Sequence, residues 1–167
     1  IAGTTVDAID STFERDGRFY TITDTAGLRK RSKRDDDIEI LASFKSIDAI
    51  ARSQIVLLMV DVQEGPSEQD AKILREVTDN HKVVILVANK VDEAEEKKLP
   101  RFREKFKQQV KDVFHFYEDI PVVYTSAHTG FGMKALFEKI DQLWEKVNIR
   151  ISTGELNRFF TKVIRLA

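Results

Sequence analysis

Apolar residues recur along this chain at two periods. Between residues 55 and 147, short continuous apolar runs alternate with longer stretches in which an apolar side chain returns every three or four positions. Ile55 to Val60 is such a run, closed by Asp61, and predicts a parallel strand covered on both faces. Ser67 then predicts a helix start, with Ala71, Leu74 and Val77 inward and Glu68 and Asp70 in the first turn, where acids oppose the helix dipole. Val83 to Ala88 predicts a second buried strand. Phe102, Phe106, Val110, Val113 and Phe114 fall at helical spacing, and Pro121 to Thr125 predicts a short strand with proline at its start, where a missing N–H is tolerated. Met133, Leu136, Phe137, Ile140, Leu143, Trp144 and Val147 mark the clearest amphipathic helix. Ser152 and Glu155 have the spacing of a capping box for one more helix.

Upstream, Thr12 to Arg15 and Arg18 to Thr23 flank Asp16-Gly17, a hairpin signal. Residues 25–36 are polar. Ile40, Leu41, Phe44, Ile47 and Ala51 predict a helix over about 37–51. Strand–helix alternation implies right-handed crossovers and a mostly parallel sheet, to which the hairpin would add one antiparallel strand. The helical pattern stops at Asn148 to Ile151. Residues 1–148 are therefore expected to form one domain and 149–167 to begin another.

Composition narrows the class without choosing a function. The 167 residues are 42% hydrophobic and 33% charged, as in an ordinary globular domain, and the net charge of −1 argues against a whole-surface attraction to nucleic acid. There is no cysteine, hence neither a disulfide framework nor a thiolate metal site. No apolar stretch approaches the roughly 20 residues of a membrane span, and no signal peptide is evident, so a cytoplasmic location without membrane contact is expected. The chain opens on Ile1 rather than methionine, which fits a segment of a longer protein.

The candidate chemistry lies where predicted strands end, the edge at which open α/β sheets bind ligands. Asp24-Thr25-Ala26-Gly27 suits a magnesium and γ-phosphate sensor: its carboxylate can hold hydrated Mg²⁺, and its glycine lets a backbone N–H approach phosphate. Asn89-Lys90-Val91-Asp92 suits guanine, because a carboxylate can accept two N–H bonds that adenine does not offer, while a lysine stem covers the ring. Thr125-Ser126-Ala127 follows the next strand, and Gly3-Thr4-Thr5 could supply a magnesium-binding hydroxyl. Each tetrad alone has a plain reading as a polar turn; their joint order and placement point to a nucleotide site. None of the seven glycines is followed by lysine, so the phosphate-cradling Gly-x-x-x-x-Gly-Lys-Ser/Thr does not occur in these residues.

With these motifs the chain resembles the Der (EngA) family of bacterial GTPases, which carry two tandem G domains and a C-terminal KH-like domain. The match is best to the second G domain. Residues 1–10 resemble its switch I, Asp24 to Arg31 its switch II, and Ile151 to Asn157 the entry to the KH-like domain. Val6 stands where the family usually has arginine, and Val91 where it often has tryptophan. The resemblance implies an α/β, P-loop NTPase-type G domain, with the first strand, P-loop and first helix missing from the 167 residues.

It also implies roles. Thr5, with Thr4 as second choice, and Asp24 would hold Mg²⁺. Thr25, Ala26, Gly27 and Leu28 would flank the γ-phosphate; Asn89, Lys90, Val91 and Asp92 would surround guanine, buttressed by Ser126 and Ala127. Leu28 stands where many GTPases place a water-orienting glutamine, so the catalytic group is not identified, and K⁺ or a partner's side chain would supply it. GTP and GDP, the large ribosomal subunit with its RNA, and the other G domain and KH-like domain are the implied partners. Arg29, Lys30, Arg31, Lys33 and Arg34 would make the RNA or partner contact. A non-enzymatic docking module on the same scaffold is the rival reading; it has no need of a guanine reader.

Overall fold

A computed structural model describes residues 9–24, 47–93, 99–117 and 119–164. Strands β1 (Ile9–Arg15) and β2 (Arg18–Asp24) form an antiparallel hairpin. Its turn is Asp16-Gly17, both at positive φ (52° and 75°), the conformation that matches the strand twist. Residues 47–52 are helical (α1). Then follow β3 (Ile55–Asp61), α2 (Glu68–Asp79), β4 (Val83–Asn89), α3 (Leu99–Val113), β5 (Val122–Tyr124), α4 (Met133–Val147) and α5 (Thr153–Ile164). The expected strand–helix alternation is present throughout, and Ser67 closes a full capping box with Asp70.

Strands β3, β4 and β5 form a parallel sheet with β4 in the centre. Alternation along β4 divides the core. Val84, Leu86 and Ala88 face one side with Leu74, Val77, Phe106, Val110 and Phe114; Ile85 and Val87 face the other with Val123 and Leu136. Helices α2 and α3 thus cover one face and α4 the opposite one. All three strands run the same way, so the polar residues that end β3 and β4, Asp61 and Asn89, lie side by side.

Two expectations change. The hairpin is a separate two-stranded sheet among the described residues rather than a strand added to the parallel sheet. It is held to α4 by side chains. Phe137 meets Phe13 and Tyr20 edge-on, at 5.9 and 5.4 Å between centroids, and Arg15 lies 4.1 Å over its ring. The Tyr20 hydroxyl donates to Asp141 at 2.8 Å, and Arg18 pairs with Asp141 at 3.0 Å. The second change is in β3, which is only half-buried, with Met59 58% exposed, because β4 is its one strand partner among the described residues.

Helix α5 begins as expected: the Ser152 N–H donates to Glu155 Oε2 at 3.0 Å, and the Glu155 N–H donates back to Ser152 Oγ at 3.2 Å. It buries no residue. Among the described residues no helix is long and apolar enough to cross a membrane.

Candidate functional site

The carboxyl end of β4 and the loops after β4 and β5 form one cleft of about 410 Å³, lined by Asn89, Lys90, Asp92, Glu93, Ala127 and His128. That volume falls in the range of roughly 300–1,000 Å³ usual for small-ligand sites.

Asn89 is the organising residue. Its Oδ1 accepts from the Ala127 backbone N–H at 3.0 Å and from the Thr125 hydroxyl at 3.2 Å, so the loop after β5 closes on one amide oxygen at the end of β4. That network fixes the amide orientation and leaves the NH₂ group available to donate. The same loops are tied through the backbone, with the Val91 N–H donating to the Thr125 carbonyl at 3.2 Å and the Thr125 N–H to the Ala88 carbonyl at 2.8 Å. Lys90 adopts a left-handed conformation, φ 67°, uncommon for a residue with a side chain. A short 3₁₀ turn, Val91–Glu93, follows and presents Asp92.

Electrostatics favour a charged Asp92. The nearby Ser126 hydroxyl holds its carboxylate below the usual carboxylate range, aided by the positive charge of Lys90. Ser126 is fully buried, and its Oγ accepts the Thr129 N–H at 3.1 Å. Asp61 is held low chiefly by its hydrogen bond with Lys90, which in turn is raised by Asp61.

Of the residues implicated by the sequence, Asn89, Lys90, Asp92 and Ala127 come together in the cleft, with Ser126 directly behind. The Ala127 N–H is engaged by Asn89, so Ala127 acts on the cleft through that side chain. Val91 is different. Its side chain is buried in the core, which pins the loop from below. Asp24 ends β2, and its side chain lies outside the described set, as do Thr4, Thr5, residues 25–28 and the basic run Arg29 to Arg34. Glu93, His128 and Asp61 were not singled out by sequence reading. Asp61 could have been found as a carboxylate closing a buried strand; Glu93 and His128 carry no comparable signal.

Gly132 secures the third loop. It sits at φ 76°, and a Cβ there would collide with the backbone carbonyl of Tyr124. Glycine at this point lets α4 start directly against the end of β5, which brings Thr125 to Ala127 back toward Asn89.

A parallel sheet with Asn-Lys-x-Asp and Thr-Ser-Ala loops interlocked at its carboxyl edge defines a GTP-binding domain of the P-loop NTPase class. The family model for the elongation factor Tu GTP binding domain matches residues 2–146, and the chain belongs to that family. Within it, the curated relatives include GTPase Der of Thermoanaerobacter sp., 40% identical over 98% of this chain, and GTPase Der of Finegoldia magna, 40% identical over 99%. The resemblance to Der read from the motifs is thereby borne out. The chain spans about 37% of the length of these relatives. Among solved structures, Era in complex with MgGDPNP and part of 16S ribosomal RNA superposes with a TM-score of 0.64, at 22% identity over 84% of this chain and 45% of its own. SelB of Methanococcus maripaludis with a GTP analogue gives 0.62, at 23% identity over 89% of this chain and 30% of its own. At these identities the likeness is one of fold.

Proposed function

We propose that this chain forms the guanine-reading part of a G domain whose full-length protein hydrolyses GTP to GDP and phosphate. The observation that carries the reading is the clamp on Asn89. With Oδ1 committed to Thr125 and Ala127, the NH₂ group is left to donate to guanine N7, an acceptor. Asp92, kept ionised by Ser126, accepts from the N1–H and N2–H₂ groups. Lys90 lays its stem over the ring.

At the phosphate end, Thr5 and Asp24 would hold Mg²⁺; hydroxyl and carboxylate oxygens are the hard donors that ion takes. Bound Mg²⁺ would neutralise charge on the phosphates, and the Gly27 N–H would sense the γ-phosphate. GTP would then order the segments around Thr5 and Gly27, and hydrolysis would release them. Leu28 offers no polar group to the attacking water, which leaves K⁺ or a partner's group as the source of catalysis.

Ribosomal RNA of the large subunit is the proposed target, contacted by Arg29, Lys30, Arg31, Lys33 and Arg34. Residues 149–167 would lead into a following KH-like domain, and the protein would act in the cytoplasm. The test of the core reading is Asp92→Asn in the full-length protein. The amide should lower GTP affinity by about ten- to a hundredfold and raise XTP affinity, since it can donate to the xanthine C2 carbonyl. Unchanged discrimination between GTP and XTP would refute base reading by Asp92. Replacing the five basic residues by alanine should weaken GTP-dependent cosedimentation with large subunits and flatten its salt dependence; identical salt series would refute the contact.

A further inference from the structure

We infer that Asp61 is a positioning residue for the base-covering lysine, holding the Lys90 side chain along the cleft before a nucleotide arrives. This rests on the reading of the cleft as a guanine site. Lys90 Nζ lies 2.5 Å from Asp61 Oδ2, and the two side chains differ in exposure, 50% for Lys90 against 18% for Asp61. The carboxylate is thus the fixed partner and the lysine the guided one.

Asp61 is fixed from several directions. It pairs with Asn89 in the register of β3 and β4. Its Oδ1 accepts the Gln63 N–H at 2.8 Å, and its backbone carbonyl accepts the Gly65 N–H at 2.9 Å. Across the same junction the Val62 N–H donates to the Asn89 carbonyl at 3.0 Å. The left-handed backbone at Lys90 turns the chain at the strand end, and the ion pair then selects where the side chain goes.

The consequence is a reduced ordering cost. A lysine side chain free to explore its rotamers loses that freedom when a ring lies against it; one already tethered loses less, and the difference appears as affinity. The tether costs no acceptor needed by the base, because Asp92 supplies that.

The test uses the full-length protein and a fluorescent GDP derivative, with affinity and dissociation rate measured for wild type, Asp61→Asn, Lys90→Met and the double variant. Asparagine keeps the acceptor for Gln63 and removes the charge. Asp61→Asn should weaken binding by about three- to tenfold, mainly through faster dissociation. Lys90→Met should weaken it at least as much, and adding Asp61→Asn to Lys90→Met should change it less than about twofold. Asp61→Ser, which also retains a capping oxygen, should match Asp61→Asn. Wild-type affinity in Asp61→Asn, or the same loss in the Lys90→Met background, would overturn the positioning role while leaving the guanine site intact. Failure of the wild-type protein to bind the GDP derivative would overturn both.

Discussion

In the proposed guanine site Asn89 would serve structure and recognition with different atoms, and two substitutions should separate the roles. Asn89→Ala removes the oxygen that accepts from Thr125 Oγ1 and Ala127 N. Thr125 is 2% exposed, so its hydroxyl loses a partner that water cannot easily replace, while the Ala127 N–H can turn to solvent. A buried unsatisfied donor costs about 1–3 kcal/mol and a net hydrogen bond about 1 kcal/mol, giving an expected loss of roughly 2–3 kcal/mol. Asn89→Asp keeps an oxygen for both donors but replaces the NH₂ donor by an acceptor facing guanine N7. Stability should then change by less than about 1 kcal/mol, while GTP affinity falls by at least about tenfold. Urea unfolding gives the first quantity and titration calorimetry the second. If Asn89→Ala unfolds at the wild-type midpoint, the amide oxygen does not join the loops. If Asn89→Asp binds GTP normally, the NH₂ group does not touch the base.

Gly132→Ala should destabilise the protein by about 2–4 kcal/mol, because it adds strain at positive φ and a collision with the Tyr124 carbonyl; denaturant midpoints measure it, and a wild-type midpoint would contradict the close approach. Phe137→Ala should cost about 1–3 kcal/mol and accelerate amide exchange through β1 and β2 while sparing β4, since a two-stranded hairpin is marginal on its own; uniform acceleration would refute a local role. The Asp61–Lys90 pair sets a pH window. Asp61 is depressed in the folded state, so its contribution is present above the unfolded value of about 3.9 and is lost as pH falls through the folded value. Lys90 is raised, so its contribution is present below about 10.4 and is lost as pH rises through its folded value. The stability difference between wild type and Asp61→Asn should therefore hold steady from about pH 5 to 9 and shrink below about pH 4; a difference independent of pH would mean no ion pair.

The parts legible in the sequence were those set by neighbours in the chain. The Ser67 helix start, the Ser152 and Glu155 box and the Asp16-Gly17 turn are each defined within three residues and appear as read; the reciprocal bond of Asp70 to Ser67 was added by the structure. The continuous apolar run Val83 to Ala88 gave a buried strand; its central position shows only in its pairing with both β3 and β5. Asn89, Lys90 and Asp92 were legible because a polar cluster directly after a buried run has few other places to go. What escaped depended on partners far along the chain. The pairing of Asp61 with Lys90 crosses from β3 to β4, and Gly132 matters only because α4 starts against β5. The inward turn of Val91 is set by a 3₁₀ geometry that no periodicity announces, and the exposed Met59 shows that one face of β3, partly covered at Ile55 and Leu57, is open near its end.

The grip of one amide on the loop after β5 also bears on how such a domain can change over generations. An inserted or deleted residue between Thr125 and Gly132 would move Ala127 out of reach of Asn89, so that stretch should keep its length among descendants. Substitutions at 89 and 125 should then be inherited in pairs, because a new side chain at either position is tolerated only when the other can still meet it.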